Sequence, residues 1–572
     1  MSTKTIEAST VAEAFLRLLA ARGVRQIYAN AGTDFAPLIE AWVRCAQAGH
    51  ATPRPVTVPH ENVAMHMALG HWMVSGEPQA LMVHVNVGTA NAICGLLNAA
   101  RVRAPILFMA GRTPINEAGV DGARNLHIHW TQEMFDQAGM VREAVKWDYE
   151  LRNGAQLETV VDRALSIAQS APTGPIYLTL PREVLAEPMG AFRYDDPSRR
   201  LAASVPHADP KAVAQLASHF ERAQNPVIIA GAAGFEPGAL QALGGFAERF
   251  GVPVVQHVPW CLNLPYDHPM HAGYDPAPWL AEADLVLVLE CAVPWIPGQA
   301  RPREGATVVQ AGVDPLGVRM PIRGFESDLA ITGSVTGLLG ALEAALAPVA
   351  PKIEPVATRR REKVAAWGRA TQARLATVVQ DSRGRTPIHP AWITHCIEEA
   401  CGPDAILLRE APQFAIQHLR RRNPGTYFTV GAAGGLGWGL GAAIGAKLAA
   451  PDRLVAMVTG DGSYMFGAPV SAHYTALEQK TPFLTVIVDN QSWNAVAEAT
   501  RHVYPQGAAA TQGGAPLTYF DKSLRLEKTV ETVGGYGERV VDPEALPGAL
   551  ARALHAVQVE KRQAVLNVVC AG

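Results

Sequence analysis

Apolar residues recur along this chain in two alternating rhythms. Val11, Phe15, Leu18 and Leu19 fall at helical spacing behind Ser9 or Thr10, either of which can cap a helix, and Gly23 closes it. A short apolar run at Gln26–Ala29 follows and ends in the turn Asn30-Ala31-Gly32-Thr33. Further strand-like runs lie at Ala80–Val85, Pro105–Ala110 and Ile176–Leu180. Strands that alternate with helices predict a parallel sheet covered on both faces.

The rhythm lapses in the polar, proline-containing stretch Ala186–Pro206, which reads as a linker. It resumes at Pro226–Ala230 and continues at Pro253–Gln256, Leu285–Leu289 and Thr307–Ala311. Ala347–Arg361, rich in Pro, Ala and Arg, reads as a second linker, and a third block runs from about Ile388 to the end. The expected architecture is α/β, with three doubly wound parallel-sheet domains at 1–188, 206–346 and 376–572 and a linker at 347–375. A chain of 572 residues exceeds what a single core fills, which fits three domains.

Composition changes this picture little. The chain is 48% hydrophobic and 18% charged with a formal net charge of −3, so neither nucleic acid nor an anionic membrane is expected as partner. Basic clusters at Arg359–Arg361 and Arg420–Arg422 read as solvated faces, with a phosphate-bearing substrate handle as the alternative. Seven scattered cysteines without a Cys-x-x-Cys pair suggest no disulfide framework and no zinc site. A polar start and the lack of a bilayer-length apolar run lead to the expectation of a cytoplasmic protein.

The most informative local chemistry lies at two strand ends. The buried-strand run Leu454–Thr459 stops at Gly460-Asp461-Gly462-Ser463, ahead of a helix expected over Ser471–Gln479. Glycines at a strand-to-helix turn admit a phosphate, and a helix start supplies free N–H donors. Asp461 would repel that phosphate unless a divalent cation sat between them, and Mg²⁺ takes oxygen ligands in this way. The next run, Phe483–Val488, ends in Asp489-Asn490-Gln491-Ser492. Neighbouring parallel strands put both ends on one sheet edge, so Asn490 offers a side-chain carbonyl and Ser492 a backbone carbonyl.

Gly-Asp-Gly-Ser followed about thirty residues on by an Asn-containing strand end resembles the thiamine-diphosphate signature. Arg422-Asn423-Pro424-Gly425 and Gly434-Gly435-Leu436-Gly437-Trp438-Gly439-Leu440 are similar to the decarboxylase and acetolactate synthase superfamily, with the nearest likeness to benzoylformate decarboxylases. The resemblance implies thiamine diphosphate and Mg²⁺ as cofactors. It makes Asp461, Asn490 and Ser492 the metal ligands, and Gln413, Gly462 and Ser463 further cofactor contacts. The Gly434 carbonyl would take a hydrogen bond from the cofactor's exocyclic amine, and Leu436 would wedge its two rings together. Two departures stand out. Asp489 replaces the usual first Asn, and the segment near Phe466–Pro469 is about two residues longer than usual.

His60-Glu61, Gly70, Gly76-Glu77-Pro78 and Gly88-Thr89-Ala90-Asn91 resemble the N-terminal signature of the same superfamily, which makes Glu61 the acid that activates the aminopyrimidine. A carboxylic acid in apolar surroundings suits that task, because desolvation raises its pKa. The resemblance also implies a homodimer or homotetramer with active sites between subunits. His84 falls where benzoylformate decarboxylases carry an active-site histidine that can relay protons. The family's second histidine, from the middle domain, has no counterpart in the apolar stretch Ala292–Pro297. Softer substrate candidates are Thr33, Gln132 (in the acetolactate-synthase-like pair Gln132-Glu133), Val496 and Glu498. His127 and His129 flank an insertion at Asn116–Trp130 and border the pocket at most.

Three reactions on a small-molecule substrate stay open: decarboxylation of a 2-oxo acid, carbon–carbon cleavage or joining in a 2-hydroxyacyl-CoA, and acetolactate-type carboligation. Outside this class stand a non-catalytic cofactor-binding subunit and a generic nucleotide binder. The joint presence of Glu61, Asp461 and Asn490 argues against the last.

Overall fold

A computed structural model describes residues 2–430, 433–512 and 515–571. It contains three parallel sheets. The N-terminal one has the spatial order Arg54–Thr57, Gln26–Asn30, Gln79–Val83, Ile106–Arg112, Ile176–Pro181 and Asp148–Glu150. The middle one runs Val254–Val255, Pro226–Ala230, Leu285–Leu289, Thr307–Gly312 and Leu329–Thr332. The C-terminal one runs Tyr427–Thr429, Ile406–Arg409, Val455–Gly460, Leu484–Asp489, Ala564–Val569 and Tyr536–Val540. Central strands such as Leu285–Leu289 and Leu484–Asp489 are buried at every residue, because helices cover both faces and leave no solvent side to favour alternation.

The first helix, Val11–Ala21, starts as its sequence predicts. Thr10 Oγ1 accepts the Glu13 N–H at 3.3 Å and the Glu13 carboxylate accepts the Ser9 N–H at 2.9 Å, a reciprocal cap. Two stretches differ from expectation. Within 186–206, Pro188–Asp196 is a strand, paired antiparallel with Ser2–Thr10. Its polarity hid it, because this two-stranded ribbon exposes most of its residues and buries little beyond Ala8, Phe192 and Tyr194. Most of 347–375 lies in the 33-residue helix Ala350–Ser382. Pro351 sits in its first turn, where a missing N–H costs nothing, and Pro355 forfeits a single internal bond. The Ala, Arg, Glu and Lys residues around them favour helix, and Ile353, Ala357, Arg360 and Val364 anchor it.

The N- and C-terminal sheets meet through their helices Glu61–Ser75 and Trp438–Ala449. A Cβ on Gly70 would stand 2.2 Å from the Ala442 carbonyl oxygen, and one on Gly445 would stand 2.0 Å from that of Met67. The backbones therefore touch directly, and the N-terminal Gly70 is a packing residue. No helix among the described residues is long and apolar enough to cross a membrane.

Candidate active site

Asp461 opens the short helix Asp461–Phe466 at the end of strand Val455–Gly460 and is almost fully buried. Its Oδ1 accepts the Gly462 N–H at 2.8 Å and its Oδ2 the Ser492 N–H at 3.3 Å. Gly460 pairs with Val488 on the adjacent strand, so Asp461 lies level with Asp489 on one sheet edge. Beyond the turn at Gln491, whose φ is +57°, Asn490 Oδ1 accepts both the N–H and the hydroxyl of Ser492 at 3.1 Å. Burial first, and then the neighbouring Asp489 carboxylate, push Asp461 up to about 7. Arg539, 3.8 Å from Asp489, is the only salt-bridge partner of this acid pair among the described residues. Two crowded carboxylates with an all-oxygen donor set fit a hard divalent cation held by Asp461, Asn490 and the Ser492 carbonyl.

The local architecture differs from the expected one in two details. Gly462 leaves room for the Trp493 ring, since a Cβ there would sit 2.2 Å from it; side-chain packing already demands this glycine, apart from any phosphate. The helix expected over Ser471–Gln479 spans Pro469–Glu478, and a short helix that was not expected, Asp461–Phe466, precedes it. Gly467 and Ala468 form the break between the two, where Ala468 takes φ +47°. Ser463 lies buried in the first of these helices.

Gly434 adopts φ +68°, and Leu436 projects partly exposed from the turn that leads into Trp438–Ala449. Glu410, which no motif singled out, holds that turn from the end of strand Ile406–Arg409. Its carboxylate accepts the N–H groups of Gly437 at 2.5 Å, Trp438 at 3.3 Å and Gly439 at 3.1 Å, and the Thr459 hydroxyl at 3.4 Å. Desolvation pushes it up to about 7 against those donors. The Asn98 amide clasps Gly435, donating to its carbonyl at 2.8 Å and accepting its N–H at 3.3 Å. Gln413 lies half-buried in the loop after Glu410, its side chain without a hydrogen bond among the described residues.

On the N-terminal sheet, Glu61 is the first residue of its helix and is half-buried, with its carboxylate accepting the Asn91 amide. Two parts of the N-terminal signature, thirty residues apart, therefore meet. Glu61 is half-buried and not enclosed by the apolar surroundings expected for it. His84 ends strand Gln79–Val83 and caps helix Val85–Arg101, which also carries Asn91. Its Nδ1 lies 2.6 Å from Asp34 Oδ1 and its Nε2 3.4 Å from the Gln132 amide nitrogen. Its side chain is 20% exposed. Thr33 is exposed on the same loop as Asp34, and its carbonyl accepts from Arg182 at 3.3 Å.

Other candidates separate from this group. Glu133 bridges Arg112 at 2.8 Å and Arg124 at 2.7 Å and so ties the loop together. His129 is buried, accepts the Asn125 N–H at 3.2 Å, and is lowered in pKa by burial and by Arg182 and Arg124, whereas His127 is exposed. Val496 and Glu498 lie on helix Asn494–Val503, which buries none of its residues, and Glu498 pairs with Arg501. Trp295, in the stretch that lacks the second histidine, is a core residue packed edge-on against Phe325. Among the described residues, no hydrogen bond joins Glu61 or His84 to 434–439, 461–463 or 490–492.

The basic clusters are mixed: Arg360 and Arg421 are buried, whereas Arg359, Arg420 and Arg422 keep the solvated face expected. Arg360 donates to three backbone carbonyls, of Gln224, Phe250 and Ala223. Arg421 is fully buried against Glu398. Arg361, Arg420 and Arg422 pair with Glu354, Glu399 and Asp267.

Comparison with known proteins matches this geometry to one class. The thiamine pyrophosphate enzyme N-terminal TPP binding domain matches residues 9–140, the central domain 213–342, and the C-terminal TPP binding domain 411–568. The chain belongs to the thiamine pyrophosphate enzymes, within the group that holds the decarboxylases and acetolactate synthases. It is 27% identical over 506 residues to benzoylformate decarboxylase of Pseudomonas aeruginosa, covering 85% of this chain and 87% of that one. It is 23% identical over 562 residues to acetolactate synthase isozyme 3 large subunit of Escherichia coli, covering 96% and 92%. The crystal structure of benzoylformate decarboxylase from Polynucleobacter necessarius superposes with a TM-score of 0.76 at 20% identity, over 99% of each chain, and shares the fold.

Proposed function

We propose that this protein is a thiamine-diphosphate- and Mg²⁺-dependent lyase that decarboxylates a 2-oxo acid in an assembly of at least two copies. The observation that carries this reading is the helix Val85–Arg101. His84 caps it, and two turns on, its Asn91 bonds Glu61, so the imidazole and the acid hang on one rigid element. Seven residues of helix set His84 and Asn91 about 10 Å apart along the axis. When bound, thiamine diphosphate would supply a carbon nucleophile for a carbonyl and a ring that takes up the electron pair released when the neighbouring carbon–carbon bond breaks. Asp461, Asn490 and Ser492 hold the cation and through it the diphosphate, Leu436 and Gly434 shape the ring site, and Glu61 exchanges a proton with the aminopyrimidine. His84 gives or takes a proton at the substrate oxygen.

The assembly is supported by what one chain leaves open. Glu61 is half-exposed, and Val87, Leu97, Phe466, Val470 and Leu477 are large apolar side chains facing solvent. Neither competing reaction draws support from its own residues. Of the arginines that would suit a CoA phosphate, Arg421 is buried against Glu398 and Arg420 pairs with Glu399, and Glu133 of the acetolactate-like pair is spent on Arg112 and Arg124. The test is CO₂ release from a panel of 2-oxo acids with thiamine diphosphate and Mg²⁺, in wild type and His84→Ala. Turnover is expected to fall about 100-fold in the variant at unchanged cofactor affinity. Failure of every 2-oxo acid to release CO₂ overturns the decarboxylase assignment, and acyl-CoA turnover would replace it with the 2-hydroxyacyl-CoA lyase.

A further inference from the structure

Asp34 is the residue at the N-terminal sheet edge for which no motif gives a role. Its side chain is 3% exposed, and among the described residues it forms no ion pair with Lys or Arg. What it has instead are two donors: its Oδ1 faces His84 Nδ1 at 2.6 Å and its Oδ2 accepts the Val85 N–H at 3.3 Å. Space for this arrangement is cut out of two other elements. A Cβ on Gly32 would stand 2.1 Å from His84 Nδ1, and a Cβ on Gly111 would stand 1.8 Å from Asp34 Oδ2. The backbone bends to it as well. Val85 takes φ +32°, a conformation that a β-branched residue rarely adopts, and its N–H is the second donor to Asp34.

We propose that Asp34 is a positioning residue that fixes the His84 imidazole as its Nδ1–H tautomer, leaving the Nε2 lone pair to face the reacting group. An ionised carboxylate only accepts hydrogen bonds, so the ring nitrogen against it must carry hydrogen. In the neutral ring Nε2 is then bare, which agrees with the Gln132 amide nitrogen, a donor, lying 3.4 Å from it. The role of Nε2 as proton acceptor rests on the decarboxylase assignment above. The proton balance is simple: Nε2 takes a proton from the substrate-derived group, Nδ1 keeps its own, Asp34 stays ionised, and the cationic ring returns the Nε2 proton later in the cycle. The neighbouring charges are already committed, Arg182 to the Thr33 carbonyl and Arg112 to Glu133 and Glu150.

Asp34→Asn separates position from volume. The amide oxygen of Asn serves the Val85 N–H, its NH₂ then faces Nδ1, and the ring proton must move to Nε2. The test is ¹⁵N magic-angle-spinning NMR of histidine-labelled protein at pH 8, with His84→Gln to assign the signal. It needs no substrate, so its outcome is independent of the reaction assigned. Wild type is expected to show a protonated Nδ1 and a bare Nε2, and Asp34→Asn the reverse. With a 2-oxo acid that is turned over, the same variant is expected to lose kcat by about 10²- to 10⁴-fold, with KM and thiamine diphosphate affinity within threefold. A proton on Nε2 in wild type at that pH, in a neutral or a cationic ring, overturns the proposal. So does an Asp34→Asn protein that keeps the tautomer or retains kcat within threefold.

Discussion

The N-terminal and C-terminal sheets share one strand order, 2-1-3-4-6-5 when each is counted within its own domain, yet they carry opposite chemistry. Strand by strand, the first edge presents Asp34, Glu61, His84 and Gln132, and the second presents Glu410, the Gly434–Gly439 turn, Asp461 and Asn490. The helices after the second strand of each sheet, Glu61–Ser75 and Trp438–Ala449, are the two that pack together. Topology sends loops to the carboxyl edge in both. Side chains then decide the task. The second sheet crowds oxygen ligands and helix starts, which suit a cation and a phosphate. The first holds an imidazole at the start of helix Val85–Arg101 and an acid hydrogen-bonded to Asn91 of that helix, which suits proton transfer.

That contrast breaks most severely at Asp461. Asp461→Ala is expected to weaken thiamine diphosphate binding in the presence of Mg²⁺ by on the order of 100-fold or more, measured by calorimetric titration. An unchanged titration would remove the C-terminal sheet from metal binding. Glu61→Gln sharpens the other side. Cofactor affinity should hold within a few-fold while turnover and exchange of the cofactor C2 proton, followed by NMR, drop together by about 10²- to 10⁴-fold. Full turnover in that variant would leave the N-terminal sheet as a binding surface alone.

A third test concerns Glu410, the C-terminal counterpart of Asp34. Its folded pKa, about 7, lies above the ordinary 4.5, so between those values the folded chain keeps a proton that the unfolded chain has released. Stability therefore falls as pH rises through that window, by about 3 kcal/mol from this group. Glu410→Gln should flatten that slope, as read from urea denaturation at pH 5 and pH 7.5. An unchanged slope would mean that burial does not hold a proton on Glu410 in the folded chain.

Much of the architecture is legible before any coordinates. The strand at Pro226–Ala230 and the strand end at Gly460-Asp461 follow from apolar runs closed by turn residues, both of which are local signals. The strand Pro188–Asp196 was not legible, because its stability comes from pairing with Ser2–Thr10, almost two hundred residues away. The helix Ala350–Ser382 was obscured by two prolines that its first turns tolerate.

The sequence by itself pointed to thiamine diphosphate, and it placed Asp461, Asn490 and Glu61 at strand ends and helix starts defined by their near neighbours. Only the tertiary structure decided what surrounds them. Asp34 meets His84 across fifty residues because their strands, Gln26–Asn30 and Gln79–Val83, are adjacent in the sheet. Glu410 reaches the Gly437–Gly439 turn for the same reason, its strand lying beside Tyr427–Thr429. Arg360 and Arg421, alike in sequence to their solvated neighbours, turned inward to carbonyls and an acid that only packing brought within reach. Strand adjacency is a property of the whole sheet, and no local window of residues contains it.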